Sequence, residues 1–112
     1  MIFVMLLQAA TATSPAAVPV KPSQNYASLM RDDDYPQDAL DKHETGTVRF
    51  AIDIAPDGRV AQCTITQSSG SASLDRRTCD IIRKRARYAP PVDSNGKPAT
   101  GHDVSSVSWY LP

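Results

Sequence analysis

The chain has 112 residues, 41% of them hydrophobic, which suits one compact domain with a short tail. Its 12 basic and 12 acidic residues give a formal net charge of zero. This balance argues against a general electrostatic attraction to nucleic acid or to an anionic membrane as the basis of its function.

The N-terminal residues 1–12 begin with an apolar run over residues 1–7. A membrane-spanning helix needs about 20 residues, so this run is too short to cross a bilayer. It is typical of the hydrophobic part of a secretory signal, with Ala10-Thr11-Ala12 as a small-x-small cleavage site. No Lys or Arg precedes the run, so either the true start lies upstream or the run is the remnant of a longer membrane anchor. An apolar N-terminal strand is a further interpretation. We expect the protein to be exported.

Residues 13–34 are predicted to be a linker. Pro15, Pro19 and Pro22 stand there among Ala, Val, Ser and Lys, a composition that favours an extended chain without a core to join. The acidic residues 32–34 lack the spaced ligands of a calcium-binding loop, so we expect them only to flank the first helix.

The predicted domain, residues 35–112, starts with a helix over residues 36–43. Pro36 suits the first turn of a helix, and Gly46 ends this one. Strict alternation of apolar and polar residues then predicts a strand over residues 47–54 with one buried face. The apolar positions are Val48, Phe50, Ile52 and Ile54.

A tight turn at Pro56-Asp57-Gly58 connects this strand to a second one over residues 59–67. The apolar spacing slips between Val60 and Cys63, which predicts a β-bulge. The two strands are therefore expected to form an antiparallel hairpin.

A helix is predicted from about Leu74 to Arg87, with Ser71 or Ser73 as its N-cap. Basic side chains crowd this helix. Binding to nucleic acid, anionic lipid or peptidoglycan are alternatives, but a solvated face with cations near the helix C-terminus is the favoured interpretation. The basic residues are Arg76, Arg77, Arg83, Lys84, Arg85 and Arg87.

The last segment, residues 103–111, is predicted to be a strand. Val107, Trp109 and Leu111 alternate there, which also places the Trp109 side chain in the core. The order of elements is then α-β-β-α-β. We therefore predict an α+β domain, with a three-stranded antiparallel sheet packed against two helices.

Two cysteines stand on neighbouring predicted elements, Cys63 on the second strand and Cys79 on the following helix. In an exported chain a disulfide between them is the favoured interpretation, and two buried thiols are the alternative. No metal site is expected, because no second Cys or His stands at ligand spacing nearby.

The sequence favours a binding module over an enzyme, and it predicts no cofactor. His43 and His102 are isolated in polar surroundings, and neither has a convincing nucleophile beside it. A small hydrolase that uses one of these histidines is the enzymatic alternative.

Several short sequence words occur in one order along residues 35–111. They are Tyr35-Pro36, GTVRFAIDIAPDGRV at residues 46–60, Ser68-Ser69-Gly70, Leu74-Asp75 and Arg85-Ala86-Arg87-Tyr88-Ala89-Pro90. In this order and spacing the chain resembles the C-terminal domain of TonB. The resemblance implies a module that lies in the periplasm of Gram-negative bacteria and joins an inner-membrane motor to outer-membrane receptors for iron chelates and vitamins.

The resemblance also implies where a partner binds. In the family, a short receptor segment called the TonB box adds as a strand to the last strand of the domain, and the residues around Tyr-Pro face the receptor. Unpaired backbone groups at a sheet edge suit this mode of binding. The partner-binding residues implied here are Tyr35, Pro36, Val104, Ser105, Ser106, Val107, Ser108 and Trp109.

Two functional hypotheses follow from the resemblance. The first is an energy-transduction module that binds TonB-box peptides and couples to motor proteins if an anchor precedes this chain. The second is a stand-alone periplasmic adaptor or inhibitor with the same fold and no motor coupling. In either case an exposed last strand also allows two copies to pair as a homodimer.

Overall fold

The computed structural model of the protein describes residues 17–111. The predicted signal or anchor at residues 1–12 and the start of the predicted linker lie outside this range. In chain order the elements are β1 (Val18–Pro19), α1 (Tyr26–Leu29), a 3₁₀ turn (Asp32–Asp34), α2 (Gln37–Asp41), β2 (Gly46–Ile54), β3 (Val60–Gln67), α3 (Ala72–Arg85) and β4 (Gly101–Trp109).

The four strands form one sheet in the order β1-β4-β2-β3. β2 lies in the middle and pairs antiparallel with β3 and β4, whereas β1 adds to β4 in parallel. The predicted α+β class is confirmed, but the sheet has one strand more than predicted. The extra strand has two residues and includes Pro19, so its pairing depends on the free border of β4 and not on a local sequence pattern.

The β2–β3 hairpin has the predicted buried face and the predicted bulge. All four apolar positions of β2 are buried. Asp53 pairs with Gln62 and Ile54 pairs with Val60, so Ala61 is the extra residue of the bulge. In the turn, Gly58 has a φ of 88°, and a Cβ there would lie 2.5 Å from the carbonyl oxygen of Tyr88.

The first helix of the predicted domain is shorter than the sequence suggested. α2 begins at Gln37 and ends at Asp41, and His43 just beyond it has a left-handed φ of 54°. The N–H of Glu44 donates to the carbonyl of Ala39 at 2.8 Å and closes the helix end. The helix therefore ends before Gly46, which is the first residue of β2.

The long helix α3 begins two residues earlier than predicted and ends two residues earlier. Ser71 is its N-cap, and the Ser71 hydroxyl accepts a hydrogen bond from the Leu74 N–H at 3.3 Å. At the other end Ala86 has extended backbone angles and is buried. The helix therefore ends before the predicted position Arg87.

Part of residues 18–34, where the sequence predicted a linker, packs against the domain. Tyr26 and Leu29 of α1 are each 5% exposed. The Tyr26 ring stands edge-on to Phe50 of the central strand, with 5.0 Å between the ring centroids. Two buried residues three apart in a single helical turn are too short a pattern to predict this packing.

α3 packs on the inner face of the sheet and closes the core. Its residues Leu74, Ile81 and Ile82 are almost completely buried. The indole N–H of Trp109 donates to the hydroxyl of Thr78 at 2.9 Å, and that hydroxyl donates to the Leu74 carbonyl at 2.8 Å. The predicted core position of the Trp109 side chain therefore includes a hydrogen bond that satisfies its polar atom.

A disulfide joins Cys63 of β3 to Cys79 of α3, with 5.7 Å between the two Cα atoms and a sequence separation of 16. The bond therefore fastens α3 to the strand at one side of the sheet. In the loop-entropy model such a closure stabilises a fold by about 3 kcal/mol, which is a large share of the stability of a small domain.

Candidate functional site

The outer border of β4 is covered by β1 only at its beginning. β1 pairs with Gly101 and His102, and the Val20 N–H donates to the His102 carbonyl at 3.0 Å. Backbone groups alternate in direction along a strand, so the even-numbered residues of β4 turn theirs outward and the odd-numbered ones pair with β2. Within the described chain, no strand pairs with this border over residues 104–108.

The side chains of β4 separate into two faces. Val107 and Trp109 are buried against the core, whereas Val104, Ser106 and Ser108 are exposed on the opposite face. Ser105 is half-buried. Of the predicted partner-binding residues on this strand, the three even-numbered ones can therefore offer backbone groups to an added strand. The odd-numbered ones support β2 and the core.

Tyr35 lies at the far end of the border, next to the last residue of β4. Its ring stands edge-on to that of Trp109, with 5.3 Å between centroids, and its hydroxyl donates to the Glu44 carbonyl. Burial raises the pKa of Tyr35, so its hydroxyl remains a neutral donor. The structure thus brings Tyr35 to β4, whereas Pro36 lies outside the grooves along the border.

Two open grooves run along the border of β4. The first, with a volume of about 440 Å³, separates Ser105 and Ser106 from residues 21–27. The second, about 240 Å³, continues past the strand end. It is lined by Ala27, Met30, Arg31, Asp32, Tyr35, Val107, Ser108, Trp109 and Tyr110. The unpaired border of β4 is therefore open to solvent where it faces residues 21–32, the segment that precedes the predicted domain.

Exposed apolar side chains stand at both ends of the unpaired border. Val104 is 59% exposed and Tyr110 is 77% exposed. Large apolar side chains of this kind occur at surfaces that contact partners, although a single one has little meaning. Here the two flank the same row of unpaired backbone groups, so the border offers both hydrogen bonds and apolar contact.

A buried carboxylate determines the position of Tyr35. Asp34, the residue before it, is 3% exposed and accepts hydrogen bonds from both terminal nitrogens of Arg85, one of them at 2.8 Å. Arg77 donates to the same carboxylate at 3.0 Å, and the Arg31 N–H donates at 2.7 Å. The Arg85 hydrogen bonds, assisted by those other donors, lower the pKa of Asp34 from 3.8 to about 2.

This cluster changes the interpretation of the basic helix face. The sequence favoured a solvated row of cations on α3, but Arg77 and Arg85 are turned toward Asp34 and are mostly covered. Arg83 makes only an exposed contact with Asp80, at 3.7 Å. The cluster joins Asp34 to Arg77 and Arg85, which lie about 40 to 50 positions later in the chain. No local sequence pattern predicts contacts at this separation.

A family model for the C-terminal part of the TonB protein of Gram-negative bacteria matches residues 32–111, which is most of the chain. The chain belongs to the TonB C-terminal family. The solution NMR structure of the Pseudomonas aeruginosa TonB C-terminal domain has a similar fold, with a TM-score of 0.59 and 23% sequence identity. That comparison covers 87% of this chain and 91% of the other. No curated protein sequence matches the chain significantly.

Membership in the TonB C-terminal family agrees with the predicted resemblance and with a role related to transport. It is also consistent with a binding module rather than an enzyme. Across residues 17–111, no helix has both the length and the apolar character that crossing a membrane requires.

In this TonB C-terminal domain a second buried carboxylate, Asp103, stands at the start of the candidate border. Its Oδ2 accepts a hydrogen bond from the Tyr26 hydroxyl at 2.6 Å, and Tyr26 shares another with the Tyr88 hydroxyl at 2.6 Å. Burial is the main cause that raises the pKa values of both tyrosines. Lys21 donates to Asp103 Oδ1 at 2.9 Å. The sequence did not predict this group, whose members come from four separate segments.

Proposed function

We propose that this domain binds an extended segment of an outer-membrane receptor, the TonB box, by strand addition to β4. The observation that supports the proposal is the unpaired outer border of β4 over residues 104–108. An extended peptide can satisfy those backbone groups whatever its side chains are, so strand addition tolerates receptors of different sequence.

The border has the chemistry that strand addition needs. Each backbone hydrogen bond contributes only about 0.5–1.5 kcal/mol net, so an added strand needs several of them to bind measurably. The Val104 carbonyl and the outward groups of Ser106 and Ser108 offer such a row, and small serine side chains leave room for the incoming chain. A pull along the strand direction loads these bonds together, which suits a module that transmits force.

Tyr35 and the exposed apolar residues give the proposed site its second contact. An added strand that passes Ser108 enters the groove lined by Tyr35, Met30 and Tyr110. There its side chains would contact aromatic and thioether groups, which contribute apolar area beside the backbone bonds. Pro36 would act indirectly, by placing Tyr35 before α2.

In this role the protein would be periplasmic and would support active uptake of iron chelates or similar nutrients. Inner-membrane motor proteins would be partners where an anchor joins the domain to them. The same border also suits a second copy of the chain, so we propose a weak homodimer through β4 that competes with the receptor segment.

The experiment that tests the proposal changes Ser106 to proline. The Ser106 N–H points outward, so Ser106→Pro removes a donor that an added strand needs without removing a β2–β4 bond. Ser106→Ala keeps the N–H and is the matched control. Each variant is titrated with a blocked TonB-box peptide while backbone amide shifts are recorded by NMR.

We expect the wild type and Ser106→Ala to show shifts over residues 104–109. Ser106→Pro should bind at least about tenfold more weakly, because one bond is lost and the ring obstructs its neighbours. A titration of the wild type without shifts on β4, or equal binding by Ser106→Pro in a folded domain, contradicts the proposal.

A further inference from the structure

The segment before α1 begins with β1, a two-residue strand that is already added to β4. We call residues 18–24 the strap. The Val18 N–H donates to the Thr100 carbonyl at 2.9 Å, and the Val20 N–H donates to the His102 carbonyl at 3.0 Å. The Ser23 N–H donates to the Arg87 carbonyl at 2.7 Å. The strap therefore occupies the beginning of the β4 border, directly before the residues 104–108 that the proposed receptor segment would use. The Ser23 bond lies outside β4 and fixes the end of the strap to Arg87.

Gly101 lets the strap approach this closely. A Cβ at Gly101 would lie 2.9 Å from a methyl group of Val20, which is shorter than a side-chain contact allows. Val20 is half-buried and packs against the core cluster. The strap and β4 therefore pack closely here because a glycine on β4 faces the branched Val20 side chain.

Lys21 fastens the strap to a buried acid. Its ammonium group lies 2.9 Å from Asp103 Oδ1, and Asp103 is only 5% exposed. Within the described chain Lys21 is the one cation paired with this carboxylate. Lifting the strap would remove the counter-charge of a buried carboxylate, which opposes release, but Lys21 is itself 78% exposed and solvent screens the pair.

The same carboxylate closes the next position of the border. The Val104 N–H donates to Asp103 Oδ1 at 3.0 Å, so the first outward amide beyond β1 already has a partner. The first outward groups without a described partner are the Val104 carbonyl and the Ser106 N–H. The strap and Asp103 together therefore occupy the border only as far as the Val104 N–H.

We propose that the strap is a stop that determines the length and register of the strand added to β4. The inference rests on the proposed function. A receptor segment of about five residues fits the border over residues 104–108, given the rise of a strand. A longer segment meets the strap and gains nothing from its extra residues. The strap thereby selects the register in which the segment meets Tyr35.

Two blocked TonB-box peptides test this inference, one of about five residues and one extended by about two residues at each end. They are titrated into the full chain and into Lys21→Glu, which replaces the cation with a charge that repels Asp103. Lys21→Gln is a milder second variant. Lys97→Glu and Lys97→Gln are matched controls, because Lys97 is exposed and is in none of the ion pairs among the described residues. Hydrogen exchange of the Val20 amide reports whether the strap has lifted.

In the wild type and in both Lys97 variants we expect the two peptides to bind within about twofold of each other. In Lys21→Glu, and to a smaller extent in Lys21→Gln, the Val20 amide should exchange faster. The longer peptide should then gain about fivefold or more from newly available backbone bonds, while the shorter one should not change.

Two results would overturn the inference while leaving the proposed function intact. One is a longer peptide that already binds the wild type more tightly and releases the Val20 amide. The other is an unchanged ratio of affinities in a Lys21 variant in which faster exchange of the Val20 amide shows that the strap has lifted. If neither peptide shifts residues 104–108 in any variant, the proposed function fails, and the role of the strap fails with it.

Discussion

The guanidinium group of Arg85, at the end of α3, donates two hydrogen bonds to the buried carboxylate of Asp34. This pair joins the segment before the domain to the helix that covers the sheet. Because Tyr35 follows Asp34 directly, the same pair also positions the aromatic ring at the end of the candidate border. The Asp34–Arg85 contact therefore contributes both to stability and to the geometry of the candidate site.

Asp34→Asn should destabilise the domain by about 3 kcal/mol at neutral pH, because it leaves Arg85 and Arg77 without their anionic partner. Chemical denaturation followed by tryptophan fluorescence measures the change, since the domain has one tryptophan, Trp109. Asp33→Asn is the matched control. Asp33 is exposed, so its replacement should change the free energy of unfolding by less than about 0.5 kcal/mol. Equal effects of the two substitutions would show that the Asp34–Arg85 pair contributes no more to the free energy of unfolding than an exposed carboxylate does.

The low pKa of Asp34 predicts how stability depends on pH. The folded state holds this pKa at about 2, below the ordinary value of 3.8, so the unfolded chain takes up the proton first as the solution is acidified. The stabilisation is complete above about pH 4 and is lost as the pH falls toward 2, by about 2 kcal/mol in total. Denaturation curves measured at several pH values should show this loss in the wild type. The loss should be clearly smaller in Asp34→Asn. If the free energy of unfolding falls equally with pH in both proteins, the low pKa of Asp34 is not its cause.

Removal of the Cys63–Cys79 bond should lower the free energy of unfolding by about 3 kcal/mol. The double variant Cys63→Ala/Cys79→Ala tests this without reductant. A reducing agent should lower the melting temperature of the wild type and leave that of the double variant unchanged. If reductant leaves the wild type unaffected, or mass spectrometry finds two free thiols, the disulfide does not form in solution.

Thr78→Val should lower the free energy of unfolding by about 1–3 kcal/mol, because the buried indole N–H of Trp109 would lose its acceptor. Valine has nearly the same volume as threonine, so the packing at residue 78 should change little. Thr64→Val on the exposed face of β3 is the control, and it should be close to neutral. A shift of the Trp109 indole proton in the NMR spectrum should accompany the loss. An unchanged indole signal in Thr78→Val would mean that the hydrogen bond is not populated.

The candidate border itself was only partly predictable. The resemblance pointed to the last strand and to Tyr35 as the partner-binding region, but it could not separate Ser106, with outward backbone groups, from Val107, with inward ones. That distinction depends on which neighbour each border of β4 has. Neighbours in a sheet come from distant parts of the chain, so no pattern within the strand carries the information.

The sequence by itself determined the hairpin, the long helix and the buried face of the last strand. Alternation with a period of two and the choice of turn and cap residues are local, and they act the same way wherever the segment lies. Only the tertiary structure decided that the strap at residues 18–24 pairs with the beginning of β4 and that Asp34 and Asp103 are buried with their partners. Burial of a charge is tolerable only when distant segments supply counter-charges and hydrogen bonds together, and that convergence exists only in the folded chain.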